Sequence, residues 1–201
     1  MKTSVKSLIA LTLIAIVLSA SAFTNASMAA ITPMSMSPEK PFNKIEVSGN
    51  VKVTLIQGKK ERVELRNESE GKQVSFKQRG YTLVINSTSD EALDVVVYVK
   101  DLHRIEASNG AKVKTSGKFD LNVLQVFLND DAKATLKGNI RSLYTVSNGT
   151  SDLKLLGTAD EHILVKNKNS VLNTVDFVAL TTQSTFIENG IAANAKTTLV
   201  K

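Results

Sequence analysis

An asparagine at a turn returns at nearly even steps through the second half of this chain: Asn109-Gly110, Asn129-Asp130, Asn148-Gly149, Asn167 and Asn189-Gly190. The first two steps are 20 and 19 residues, the last two 19 and 22. Two places before each asparagine stands an apolar residue: Ala107, Phe127, Val146, Val165 and Ile187. A second alternating run follows most of them, often closed by glycine, at Gly117, Gly138 and Gly157. Self-similarity at such a period marks a repeating supersecondary unit. Asparagine and glycine tolerate left-handed backbone, so the chain can bend there while Val, Ile and Leu keep pointing inward. One coil of this length cannot bury its own apolar side. Stacking similar coils makes a continuous core and pairs every backbone group with the coils above and below. The spacing therefore predicts an all-β, parallel β-solenoid with coils of about 20 residues.

The alternative is an antiparallel β-sandwich, because Asn-Gly between alternating apolar residues is also a strong hairpin signal. A two-residue loop at Asn148-Gly149 would set Val146 opposite Ser151 and Ser147 opposite Thr150. Apolar residues would then lack apolar cross-strand partners, which favours the stacked reading. The asparagines themselves admit two roles, a ladder of stacked side chains or separate corner residues.

Before residue 102 the pattern is short strands of period 2 rich in Val, Ile, Leu and Thr. Ile45, Val47, Val51, Val53 and Leu55 share one parity, and Leu93–Val99 reads as a well-buried strand. Whether 42–101 forms further coils or a separate cap is left open by the pattern. At the amino end, Lys2 and Lys6 precede the apolar run LIALTLIAIVL and the small residues ending in Ser27-Met28-Ala29. That is the pattern of a secretory signal peptide over 1–29, with Ala20-Ser21-Ala22 as the second choice of cleavage site. The segment 30–41 carries the three prolines of the chain, Pro33, Pro38 and Pro41, and is expected as a flexible lead-in to a β-solenoid domain over 42–201. Lys2 and Lys6 are the only charged residues of 1–29, so cleavage lowers the net charge from +6 to +4. Scattered lysines at that mild charge exclude a nucleic-acid footprint. With 1–29 removed, no transmembrane segment is expected.

Phe42 to Gly58, FNKIEVSGNVKVTLIQG, is similar to the opening of the family named "putative auto-transporter adhesin, head GIN domain", exported proteins of Bacteroidetes-type bacteria. Leu102 to Ala111, LHRIEASNGA, resembles that family's later Leu-x-x-Ile-x-x-Ser-x-Gly-Ala repeat. Leu143 to Gly149 matches it less closely, the 125–131 copy has Leu128-Asn129-Asp130, and the 163–169 copy lacks the glycine. The resemblance covers about residues 42 to 195 and implies a right-handed β-solenoid in a cell-envelope setting. It implies no catalytic residues.

Little in the sequence carries reaction chemistry. His103 and His162 are the only histidines, 59 residues apart. Three stacked coils would separate them by about 14 Å, too far to share a zinc ion. Both are expected as satisfied surface or corner histidines. Asn129, Asp130, Asp131, Asp152, Asp160 and Glu161 offer oxygen ligands. Without a calcium-loop spacing they read as solvated turn residues, so no metal, cofactor or catalytic site is assigned. A polysaccharide-active enzyme would want two carboxyls across a cleft and aromatic walls. This chain has no Trp, and its only tyrosines are Tyr81, Tyr98 and Tyr144. The expected function is therefore non-catalytic: an exported, periplasmic or surface adhesin-like binding module. A structural or self-associating envelope module without ligand is the alternative, with a polysaccharide-active enzyme third. Lys112, Lys114, Lys133, Lys137 and Lys154, at outward positions, fit an anionic glycan or envelope polymer as partner, and equally fit a solubilising surface. A second copy of the chain is the other expected partner.

Overall fold

A computed structural model describes residues 34–38, 40–66, 74–188 and 191–199 of the chain, with side chains for 37–38, 40–66 and 74–187. The segment expected as signal peptide lies outside these residues. The strands are β1 (Met34–Met36), β2 (Lys44–Ser48), β3 (Val51–Gln57), β4 (Arg62–Leu65), β5 (Val74–Arg79), β6 (Thr82–Ser87) and β7 (Leu93–Val99). They continue with β8 (Arg104–Ser108), β9 (Lys112–Ser116), β10 (Asp120–Leu128), β11 (Lys133–Ser147), β12 (Asp152–Asn167), β13 (Val171–Glu188) and β14 (Ile191–Leu199). The lead-in expected as flexible thus contributes β1, paired antiparallel with β4.

All fourteen strands belong to one sheet. It runs β1-β4-β7-β3-β9-β11-β10-β8-β2-β6-β5, and β12, β13 and β14 follow from β11. The long strand β11 pairs with β9 through Lys133–Thr135 and with β10 through Asn139–Ser147. It therefore spans two arms of the sheet, which curls between them into a half-barrel. Side chains alternate across each arm as strand geometry requires. Ile45, Val47, Val53, Leu55, Leu83, Ile85, Val95, Val97, Ile105, Val113, Val126 and Leu136 point into the space between the arms and are buried.

The expected purely parallel right-handed β-solenoid is not what forms, and neither is the two-sheet sandwich. Through β10–β12 the strands pair in parallel at an even offset, as in Asp120–Asn139 and Lys133–Asp152. Elsewhere four pairings are antiparallel: β1–β4, β4–β7, β5–β6 and β13–β14. Nor does the stack follow chain order, because β2 lies between β6 and β8 and β3 lies between β7 and β9. The physical reason lies in the short strands. A segment such as Arg62–Leu65 is too short to reach both arms, so it folds back on an edge. The Gly80 turn likewise makes β5–β6 a hairpin, with φ of 58° at the glycine.

The corners behave differently from hairpins. Asn109 and Gly110 both have positive φ, 52° and 78°, and Ala111 N–H donates to the Ser108 carbonyl at 3.1 Å. That geometry usually closes a two-residue hairpin. Here β8 pairs with β2 and β10, while β9 pairs with β3 and β11, so the turn leads from one arm to the other. Successive corners also bond to each other: Asn129 N–H donates to Ala107 O and Asn148 N–H to Leu128 O. The Asn189-Gly190 corner lies outside the described residues, and among those described the side-chain ladder has one rung, Asn148 Nδ2 to Asn129 Oδ1 at 3.1 Å. Asn109 instead donates to Ser48 Oγ, and Asn167 caps its own turn by accepting from Ser170 N–H.

Candidate binding surface

Period-2 alternation in β3, β9, β11 and β12 sends every second side chain to the outside of one arm, and many of these are lysines. Parallel register then aligns them. Lys52 stands beside Lys112, and Lys112 beside Lys133, on three adjacent strands. Asp94 of β7 precedes Lys52 in this row and Asp152 of β12 follows Lys133. The next outward row reads Thr54, Lys114, Thr135, Lys154. Neighbouring strands lie about 4.8 Å apart, so the three lysines of the first row crowd within roughly 10 Å. Like charges directly opposite each other destabilise a sheet. Among the described residues none of these ammonium groups has an ion-pair partner, whereas Arg62, Arg79, Arg104 and Lys118 each have one. Lys52, Lys112, Lys114, Lys133, Thr54 and Thr135, together with Asp94, line a shallow concavity of about 320 Å³.

Four of the five lysines expected to face outward, Lys112, Lys114, Lys133 and Lys154, therefore share one surface. Lys137 lies one row further along, beside Leu156. Lys52 was missed by the sequence reasoning. Its parity between Val51 and Val53 marks it as outward, but only the pairing of β3 with β9 places it at the head of the row.

The other candidates stay apart. His103 is exposed at a corner, bonded to Asp101 Oδ2 at 2.8 Å and to Asn43 at 3.3 Å. His162 is not a surface or corner histidine: it is 2% exposed, hydrogen-bonded to Thr145 Oγ1 at 2.9 Å and packed edge-on against Phe177. Burial lowers its pKa to about 4, so the ring is neutral. Asp130 sits in left-handed backbone at its corner, with φ of 59°, and Asp160 faces Arg141 at 3.9 Å. At the start of β10, Asp120 accepts from Asn139 Nδ2, and Asn139 accepts from Thr158 Oγ1. Lys118 pairs with Asp120, and these hydrogen bonds hold the Asp120 carboxyl below its ordinary pKa. Among the described residues no three His, Cys, Asp or Glu are placed to hold a metal ion, and no helix is long and apolar enough to cross a membrane.

The family model "Putative auto-transporter adhesin, head GIN domain" matches residues 41–190. The chain belongs to this family. This GIN-domain protein is accordingly a non-catalytic, extracytoplasmic module. Among solved structures, a "putative adhesin" from Bacteroides fragilis is 16% identical, with 78% of this chain and 79% of that one covered and a TM-score of 0.62. A "putative lipid binding protein" from Parabacteroides distasonis is 14% identical, with 77% and 78% covered and a TM-score of 0.54. A "putative adhesin" from Parabacteroides merdae is 13% identical, with 77% of each chain covered and a TM-score of 0.53. At these identities the likeness carries the fold alone. Among curated proteins none matches the GIN-domain chain.

Proposed function

We propose that this GIN-domain protein is an adhesin-type module that holds an anionic glycan or envelope polymer against its lysine face. In this reading residues 1–29 direct export and are removed, and the domain works in the periplasm or at the cell surface. The observation that supports it is the row Lys52–Lys112–Lys133, three like charges set side by side on adjacent strands. A bound anion relieves that repulsion.

The test is a binding screen of the purified mature protein against anionic and neutral glycans and envelope polymers, at low and high salt. Anionic polymers bind, and neutral ones do not. Raising ionic strength from 0.01 to 1 M shortens the screening length from about 30 to 3 Å and weakens binding steeply. Lys112→Glu lowers low-salt affinity by about tenfold or more. Binding that ignores both salt and this substitution overturns the reading.

A second reading, self-association, is supported by the far end of the sheet. Among the described residues, β14 covers β13 only from Thr181 to Glu188, and the edge at residues 171–180 pairs with β12 alone. Val171, Val175, Val178 and Leu180 are exposed along it. An uncovered apolar edge is a template for pairing with another chain, here a second copy. Sedimentation then shows a concentration-dependent dimer that Leu180→Lys abolishes. A wild-type protein that stays monomeric at about 1 mM, a concentration at which even the weakest specific contacts populate a dimer, refutes this reading.

A further inference from the structure

The lysine face is bounded, and its bounds say something about its ligand. We infer that the concavity is built for one compact, multiply charged oxyanion, the phosphate monoester of a sugar, and not for charge spread evenly along a polymer. This rests on the reading that the lysine face binds an anionic glycan.

The first support is the composition of the row. Asp94 and Asp152 stand at its two ends, so the sequence across the strands is carboxylate, three ammonium groups, carboxylate. A polyuronate laid across the strands would bring its own carboxylates against Asp94 and Asp152 after roughly 10 Å. A compact anion centred on Lys112 sits among Lys52, Lys112, Lys114 and Lys133, with Asp94 as the one carboxylate on the lining.

The second support is the adjoining row. Thr54 and Thr135 flank Lys114, which places two hydroxyls on either side of a fourth ammonium group. A phosphate monoester carries close to two negative charges at neutral pH and three strong acceptor oxygens. Four ammonium groups, each with three rotatable donors, and two hydroxyls match that demand. A single carboxylate offers two oxygens and one charge, and leaves most of these donors facing water. The third support is size: about 320 Å³ suits a sugar phosphate and not a folded oligosaccharide.

Titration calorimetry of the mature protein at low salt tests this with four probes: a hexose phosphate, inorganic phosphate, a hexuronate and an oligouronate. Hexose phosphate binds at least tenfold more tightly than either uronate. Thr135→Val reduces phosphate binding several-fold and leaves hexuronate binding unchanged. Lys112→Gln weakens binding of every anion several-fold while the melting temperature stays the same or rises, because a cross-strand repulsion has been removed. Inorganic phosphate as tight as hexose phosphate supports the same recognised group and assigns the source to the free ion. Oligouronate binding as tight as hexose phosphate overturns this inference and leaves the anionic-polymer reading standing. If no anionic polymer or small anion binds at low salt, both fall.

Discussion

Replacing Gly157 with alanine destabilises the domain by about 3 kcal/mol or more in equilibrium unfolding. Two effects add. Gly157 has φ of 104°, a conformation that any L side chain resists. An added Cβ would also fall inside contact distance of the Gly138 carbonyl oxygen on the neighbouring strand. Gly138 has no room to withdraw, since a Cβ there would itself lie 2.9 Å from the Phe119 carbonyl oxygen. The three strands meet at this bend with backbone against backbone. Gly80→Ala separates the two effects. Gly80 has φ of 58° and open space around it, so alanine there costs roughly 1–2 kcal/mol from backbone conformation alone. If Gly157→Ala costs no more than Gly80→Ala, the close approach of these strands is wrong.

Acidification between about pH 6.5 and 4 removes on the order of 3 kcal/mol of stability, through His162. The ring is buried and neutral in the fold, with its pKa lowered from 6.5 to about 4 and burial as the cause. The unfolded chain therefore takes up a proton that the folded chain refuses across this interval. Proton uptake by the unfolded state means stability is full above pH 6.5, falls as pH drops toward 4, and levels off below. Asp120 acts in a separate window: its lowered carboxyl pKa contributes stability that is lost only as pH falls below the ordinary value of 3.8. Urea unfolding at a series of pH values measures the slope. His162→Gln keeps a hydrogen-bonding partner for Thr145 and flattens the curve between pH 6.5 and 4. A wild-type curve already flat in that range would mean that His162 is not desolvated.

The residues differ in how far the sequence placed them. The asparagine spacing located the corners at 109, 129 and 148, because a left-handed residue at a tight bend is a local requirement. Parity then assigned Lys112, Lys114, Lys133 and Lys154 to the outside, since alternation along a strand is also local. What spacing does not encode is which strand lies beside which. The lodging of β2 and β3 among strands made 38 to 60 residues later depends on complementary burial across the curl. Hence Lys52 went unnoticed and the fold was expected to be parallel throughout. His162 was misplaced for a related reason. Its inward parity follows Leu164 and Leu143, but a histidine in an apolar row reads equally as a surface residue until Thr145 and Phe177 are found against it. The antiparallel additions at both ends leave no periodic trace, because a strand of four residues such as β4 carries too few alternations to announce its partner.

That lodging of β2 and β3 also governs how the domain can assemble. In an array whose units stack in chain order, each unit contacts only its neighbours, and folding can start at any unit and spread to the next. Here residues 44–57 precede both sets of neighbours along the chain, and their flanks stay unsatisfied until 82–99 and 104–116 have followed. Closure therefore waits on contacts distant in sequence, which slows folding. A chain stopped before residue 112 lacks β9, the partner of one whole flank of β3.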